Sequence, residues 1–357
     1  LRELLKGLNV KIALLTGNTK AADRRAMHAA LQSGEMDNLI GTHALIEDEV
    51  KFKNLGFVVI DEQHRFGVAA RKRLFDKGNM PHVLTMSATP IPRTLSMAIY
   101  GDMDMSILDE KPLGRKPIET RTFDLERLSE IEDAVARAIK QSSQIYWVCP
   151  LVEEIETNEK SAAVERFEQL RIRFGDKVAL VHGKMKAADK DEAMEKFITG
   201  QAKILVATTV IEVGVDVKTA NIMVIEHAEQ FGLAQLHQLR GRVGRGETQS
   251  HCLLMYQSPL SENGRKRIEA LRETDDGFKI AEIDYELRGG GDLLGLRQSG
   301  IPNLKIADIN AHKDLLPIAR KDARLLIETD PNLTSERGQN VRQALYIFDA
   351  NLGLSGD

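Results

Sequence analysis

Four strings in this chain gather the residue types that handle phosphoryl groups. In Val58-Val59-Ile60-Asp61-Glu62-Gln63-His64 an apolar run ends in two adjacent carboxylates. A strand of that kind delivers its carboxylates to the C-terminal edge of a sheet, where α/β proteins bind ligands. There Asp61 can hold Mg²⁺, directly or through water, and Glu62 can orient or deprotonate an attacking water. The bland alternative for a strand followed by Asp-Glu is a solvated turn. Thr85-Met86-Ser87-Ala88-Thr89-Pro90 is a second strand end, and taken alone it is a hydroxyl-rich turn before a proline. Gln238-Leu239-Arg240-Gly241-Arg242-Val243-Gly244-Arg245-Gly246 reads by itself as a solvated basic loop or a phosphate-binding patch. The fourth string runs from Val206 through Thr208, Thr209 and Gly214 to Asp216. Its bland reading is a buried strand followed by a helix start, with Thr208 or Thr209 as the cap.

These strings need a scaffold that ends strands side by side. Short apolar runs alternate with amphipathic helical stretches, the pattern of an α/β protein with parallel strands. The first part offers strands at 10–16, 39–41, 57–60 and 83–86, and the second at 145–149, 178–181, 204–207, 222–225 and 251–255. Helices are expected at 125–140 and 186–199, where apolar residues follow helical spacing. The continuous apolar run Phe57-Val58-Val59-Ile60 suits a sheet covered on both faces. Residues 109–117 combine two prolines, a glycine and five charges, the composition of a linker. Beyond Gln257 the alternation stops and helices interrupted by Gly289-Gly290-Gly291 and Pro302 follow. The expected architecture is therefore α/β, with two parallel-sheet lobes at 1–114 and 115–258 and a helical appendage at 259–357.

Bulk properties narrow the setting. The 357 residues suit two to three domains. No run reaches the roughly 18–20 consecutive apolar residues that span a bilayer. Cys149 and Cys252 sit in apolar runs and read as small buried hydrophobes of a reducing compartment, so a cytoplasmic address is expected. Nine histidines and two distant cysteines show no zinc spacing. The net charge of −4 argues against a surface coated in basic residues but not against a local basic groove.

In their order along the chain, the four strings resemble the motifs of superfamily 2 helicases. Asp61-Glu62-Gln63-His64 is similar to the DExH box, Ser87-Ala88-Thr89 to the motif that links the triphosphatase and nucleic-acid sites, 206–216 to motif V, and 238–245 to the QxxGRxxR of motif VI. The resemblance implies two RecA-like lobes, ATP as nucleotide and Mg²⁺ as its cation. It implies arginine fingers at Arg242 and Arg245, which neutralise charge growing on the γ-phosphate. Gln238 would contact nucleotide or bridge the cleft, and His64, Ser87, Thr89, Gly214 and Asp216 would couple the nucleotide site to DNA. Strand phosphates would fall to Thr208 and Thr209, and likewise to Thr42, His43 and His182, contacts that position DNA without reading its sequence.

Strings outside those motifs resemble the RecG family and its relative, the transcription-repair coupling factor. They include Gly41-Thr42-His43-Ala44-Leu45-Ile46 and Asp61-Glu62-Gln63-His64-Arg65-Phe66-Gly67-Val68. Both families carry a helical hairpin after motif VI, here at 265–300, with Arg267, Arg288 and Gln298 as the implied DNA-side residues. The tail, with Leu296-Arg297-Gln298-Ser299-Gly300-Ile301-Pro302, resembles RecG and not the coupling factor. The resemblance implies an ATP-driven translocase acting on branched or forked DNA. A binding module without activity is the reading from a different class.

One expected part is not in the sequence. No Gly-x-x-x-x-Gly-Lys-Ser/Thr string, whose amides and lysine cradle phosphates, occurs in the 357 residues. The opening Leu1-Arg2-Glu3-Leu4-Leu5-Lys6-Gly7, without an initiator methionine, reads as the end of a helix and makes a fragment the expectation. Nothing else in the chain fixes the γ-phosphate for in-line attack. The chain as given is therefore expected to hydrolyse ATP negligibly, and robust DNA-stimulated phosphate release from it would overturn that expectation.

Overall fold

The computed structural model describes residues 4–63, 66–88, 104–108, 110, 114–150, 162–212, 217, 219–246, 248–287, 312 and 314–348. The chain forms two compact units, one ending at Ala88 and the other holding the described residues from Asp104 onward.

The first unit is built of two strand–helix–strand crossovers. Strand β1 (Ile12–Leu15) leads through helix α1 (Ala21–Ser33) to β2 (Asn38–Gly41), and the two strands pair in parallel. Gly41 is required by that pairing, because a Cβ there would collide with the Leu15 carbonyl oxygen. Strand β3 (Phe57–Ile60) leads through α2 (Val68–Phe75) to β4 (His82–Thr85), again in parallel. Leu15, Leu31, Ala44 and Val50 fill one small core, and Val58, Ile60 and Leu74 another. Among the described residues no strand joins the two pairs. The reading of 57–60 as a strand covered on both faces is corrected here. Val58 and Ile60 are buried, while Phe57 and Val59 are 58% and 50% exposed, because no described element lies over that side.

The second unit carries a six-stranded sheet that is parallel throughout. In chain order its strands are β5 (Glu119–Asp124), β6 (Gln144–Val148), β7 (Val178–Val181), β8 (Ile204–Ala207), β9 (Ala220–Ile225) and β10 (His251–Tyr256), and in space they run β5-β10-β9-β6-β8-β7. Helices α3 (Leu128–Lys140) and α4 (Ala162–Phe174) cover one face, packing on Ile145, Trp147, Ile204, Val206 and Val224. The alternate residues Tyr146, Val148, Leu205, Met223 and Ile225 meet the opposite layer. It comprises α5 (Ala187–Ile198), α6 (Leu233–Arg240), α7 (Glu262–Glu273) and α8 (Gly277–Leu287). Both faces are thus apolar, which explains why these strands read as unbroken hydrophobic runs. Ile268, Leu271 and Ile280 place α7 and α8 within this same core.

Two local features depart from the sequence reading. The edge strand β5, Glu-Thr-Arg-Thr-Phe-Asp, carries no apolar run because one side of it faces solvent. The helix expected from 125 begins at Leu128. Asp124 accepts a hydrogen bond from the Glu126 amide at 3.0 Å and turns 125–127 into a 3₁₀ segment. The expected linker falls partly outside the described residues, which omit 109 and 111–113.

Near the C-terminus, α9 (Leu315–Thr329) and α10 (Glu336–Phe348) meet at a corner held by Asp330. Its carboxylate accepts hydrogen bonds from the amides and hydroxyls of both Thr334 and Ser335. These donors favour the charged form and hold the carboxyl at about 2, below its ordinary 3.8. A depressed carboxyl stabilises the fold above its unfolded value and loses that contribution as pH falls through the folded one. Amide exchange along 336–348 is therefore expected to quicken as pH drops from about 3.8 towards 2, after correction for intrinsic exchange. Asp330→Ala should remove that pH step, and an unchanged step in the variant would refute the assignment.

Candidate functional site

In the first unit the pairing of β3 with β4 decides which residues meet. Ile60 lies opposite Thr85, and the Met86 amide donates to the Ile60 carbonyl at 2.8 Å. The Gln63 amide returns a bond to the Met86 carbonyl at 3.1 Å. Asp61-Glu62 and Ser87-Ala88 are thereby brought to one edge, and the Ala88 amide donates to Glu62 Oε2 at 3.4 Å. Glu62 holds a left-handed backbone (φ 48°), a strained state for a residue other than glycine. Asp61 is exposed, and its Oδ1 accepts from the Glu62 amide at 2.9 Å. An exposed carboxylate is a hard oxygen ligand, the kind that Mg²⁺ takes one or two of beside phosphate and water. Among the described residues no group of three or more candidate ligands forms a closed metal cage.

Thr42 and His43 follow β2 and are exposed, with Ala44 and Ile46 anchoring their short 3₁₀ turn in the core. The His43 ring stacks on Phe66, centroids 4.7 Å apart and planes 20° from parallel. His64 and Thr89 lie outside the described residues.

The second unit places its candidates at strand ends in the same way. His182 follows β7 and is half-buried, its amide donating to the Met185 sulfur at 3.4 Å. Thr208 follows β8 and is buried, while Thr209 opens a short 3₁₀ segment. Gln238 is half-buried on α6. Just beyond that helix lie Arg242, half-buried, and Arg245, exposed with Nε donating to the Gly241 carbonyl at 3.3 Å. Gly244 permits the turn between them with φ 78°, and a Cβ there would press on Ile118 at 2.9 Å. Arg267 on α7 donates to the carbonyls of Glu229 and Phe231. Gly214, Asp216, Arg288 and Gln298 lie outside the described residues. Asp61 and Glu62 belong to the first unit, and Arg242 and Arg245 to the second.

Two clusters carry no motif signal. At the ends of β6 and β9, Glu226 receives the Trp147 indole N–H and the Arg166 guanidinium, all of it buried or nearly so. The neighbouring Cys149 thiol and, on β10, the Cys252 thiol are pushed up by burial, Cys252 to about 12, so both stay neutral. The other cluster is centred on Arg240, between Gln238 and Gly241, which turns inward and is only 2% exposed. It donates to the Leu271 carbonyl at 2.6 Å and the Thr274 carbonyl at 3.0 Å, bonding the end of α6 to the end of α7. Burial is the main influence on it and lowers its pKa, against which Asp275 helps to keep the charge. The negative end of the α7 dipole favours a cation at that point. Arg240→Met should lower thermal stability by about 3 kcal/mol, because two buried carbonyls lose a charged donor. A melting curve unchanged from the parent would show that these bonds contribute nothing.

Three family descriptions match the chain in sequence: DEAD/DEAH box helicase over residues 1–98, helicase conserved C-terminal domain over 126–247, and ATP-dependent DNA helicase RecG, domain 3, C-terminal, over 274–348. The ATP-dependent DNA helicase RecG of Bacillus subtilis is 49% identical over 329 residues, 92% of this chain and 48% of that protein. Its counterpart in Synechocystis is 48% identical over 328 residues, 91% of this chain and 39% of that protein. A solved structure of RecG bound to a three-way DNA junction matches with a TM-score of 0.67 and 42% identity, over 88% of this chain and 41% of that one. The chain therefore spans less than half the length of these relatives. The parallel six-stranded sheet with helices on both faces is the RecA-like helicase fold. The third match falls in the C-terminal segment, where the strings around 296–302 resemble RecG. Across the matched residues, this chain belongs to the RecG family.

Proposed function

We propose that this chain supplies the motor of an ATP-dependent DNA helicase that remodels branched or forked DNA in repair and recombination. The observation that carries the reading is the meeting of Asp61-Glu62 with Ser87-Ala88 at one edge of the first unit, in a chain that also bears Gln238-Leu239-Arg240-Gly241-Arg242. RecG in the solved complex binds a three-way junction, and that relationship supports the choice of substrate.

In this reading the lobes correspond to 1–114 and 115–258, with 259–357 as the appendage that acts on duplex. Asp61 holds Mg²⁺ with the phosphates, and Glu62 orients the attacking water and takes its proton. Arg242 and Arg245 neutralise charge on the γ-phosphate, with Gln238 beside them. Thr42, His43, His182, Thr208 and Thr209 hold strand phosphates, which makes recognition structural rather than sequence-specific. Ser87 and the turn that contains Glu62 link the two sites. Lobe closure on ATP and reopening after hydrolysis move the helical hairpin that begins with α7 and α8 along the duplex.

Because the 357 residues hold no phosphate-loop string, the test joins them to one. A chimera is made in which this chain replaces the matching segment of the Bacillus subtilis relative. Its ATP hydrolysis should rise on adding forked DNA, and Glu62→Gln should cut the stimulated rate by about 10²–10⁴-fold while fork binding persists. A folded chimera that binds nucleotide but shows no stimulation would mark the chain as a DNA-binding module that keeps helicase architecture without turnover.

A further inference from the structure

The His43–Phe66 stack joins two segments with different tasks in the proposed motor. His43 sits in the turn after β2 that is assigned to DNA, and Phe66 ends the turn after β3 that contains Asp61 and Glu62. Phe66 also packs against the small core of Val58, Ile60 and Leu74. Its amide donates to the Gln63 carbonyl at 3.0 Å, and the Gln63 amide in turn is tied to Met86 at the end of β4. A displacement of the His43 ring is therefore passed to a short, hydrogen-bonded turn. Within that turn Glu62 is held in left-handed backbone, with its carboxylate against the Ala88 amide. Strained backbone of this kind clusters at active sites and switch regions, where the strain is part of the mechanism. The stacked geometry suits a relay, because two nearly parallel rings in contact resist being driven closer together.

We propose that Phe66 is a positioning residue: a DNA strand seated at Thr42-His43 acts through the His43–Phe66 stack to align the Glu62 carboxylate, and so raises the rate of hydrolysis. This rests on the motor reading above. It assigns the coupling to a ring contact inside the first unit, separate from any movement of one lobe against the other. Phe66 touches neither nucleotide nor DNA in this scheme, so its loss should change the response to DNA and not the affinity for it.

The experiment uses the same chimera, with hydrolysis measured without DNA and at saturating forked DNA, and fork affinity measured by fluorescence anisotropy. Phe66→Leu keeps an apolar side chain in the core but removes the ring. Its unstimulated rate should stay within about twofold of the parent and its fork affinity within about threefold, while the stimulated kcat falls about tenfold or more. Phe66→Tyr keeps the ring and should recover the stimulated rate to within about threefold. Should Phe66→Leu fail to fold, His43→Gln tests the same stack from the other side. Saturating DNA then removes any loss of affinity, and stimulation should still be missing. A parent chimera without DNA stimulation sinks the motor reading and the relay with it. A stimulated parent whose Phe66→Leu and His43→Gln variants respond equally well sinks the relay alone. So does a Phe66→Tyr variant as unresponsive as Phe66→Leu.

Discussion

Parallel pairing carries the carboxyl ends of neighbouring strands to one edge, and the candidate chemistry hangs from those ends. Asp61 and Glu62 follow β3, Ser87 follows β4, Thr42 follows β2, His182 follows β7 and Thr208 follows β8. In the first unit the register of β3 on β4 fixes the meeting of Glu62 with Ala88, since Ile60 opposite Thr85 leaves the next residues of both strands facing each other. A slip of one residue would turn Val58 and Ile60 out of their core and separate the two strings. Apolar burial under the strands thus sets the geometry of the polar groups at their ends.

The two units enforce that constraint unequally. In the second, helices on both faces bury Ile145 to Val148 and Ile204 to Ala207 completely, so the register of its central strands is strongly specified. In the first, two pairs that no strand joins among the described residues each bury one face, and Phe57, Val59 and Leu14 remain open. Two-stranded parallel sheets have little stability of their own. The Asp61-Glu62 pair therefore follows a strand with one open face, while Arg242 and Arg245 follow a helix packed into the two-sided core.

Charged groups inside the second unit act as fasteners. Glu226 collects Trp147 and Arg166 at the ends of β6 and β9, and Arg240 bonds α6 to α7. Each is costly to bury and is retained with hydrogen bonds to buried partners. Arg240 sits two residues from Arg242, so one stretch of backbone has one side chain fixed inward and the next arginine only half-buried.

The sequence by itself determined most of the strands, the order of the motifs and the RecG resemblance. Long apolar runs and strings such as Asp61-Glu62 or Gly241-Arg242 need no partner in order to be read. It passed over β5, because an edge strand with one solvated side carries no apolar run. It placed Phe57 and Val59 under cover that no described element provides, since a run of hydrophobic residues states what can be buried and not what is there to bury it. Only the tertiary structure decided that Arg240 turns inward, that Glu226 pairs with Arg166 sixty positions away, and that His43 lies on Phe66. Those outcomes depend on which elements the folded chain brings within a few ångströms, and the direction of a side chain is set by its neighbours in space rather than by its neighbours in sequence.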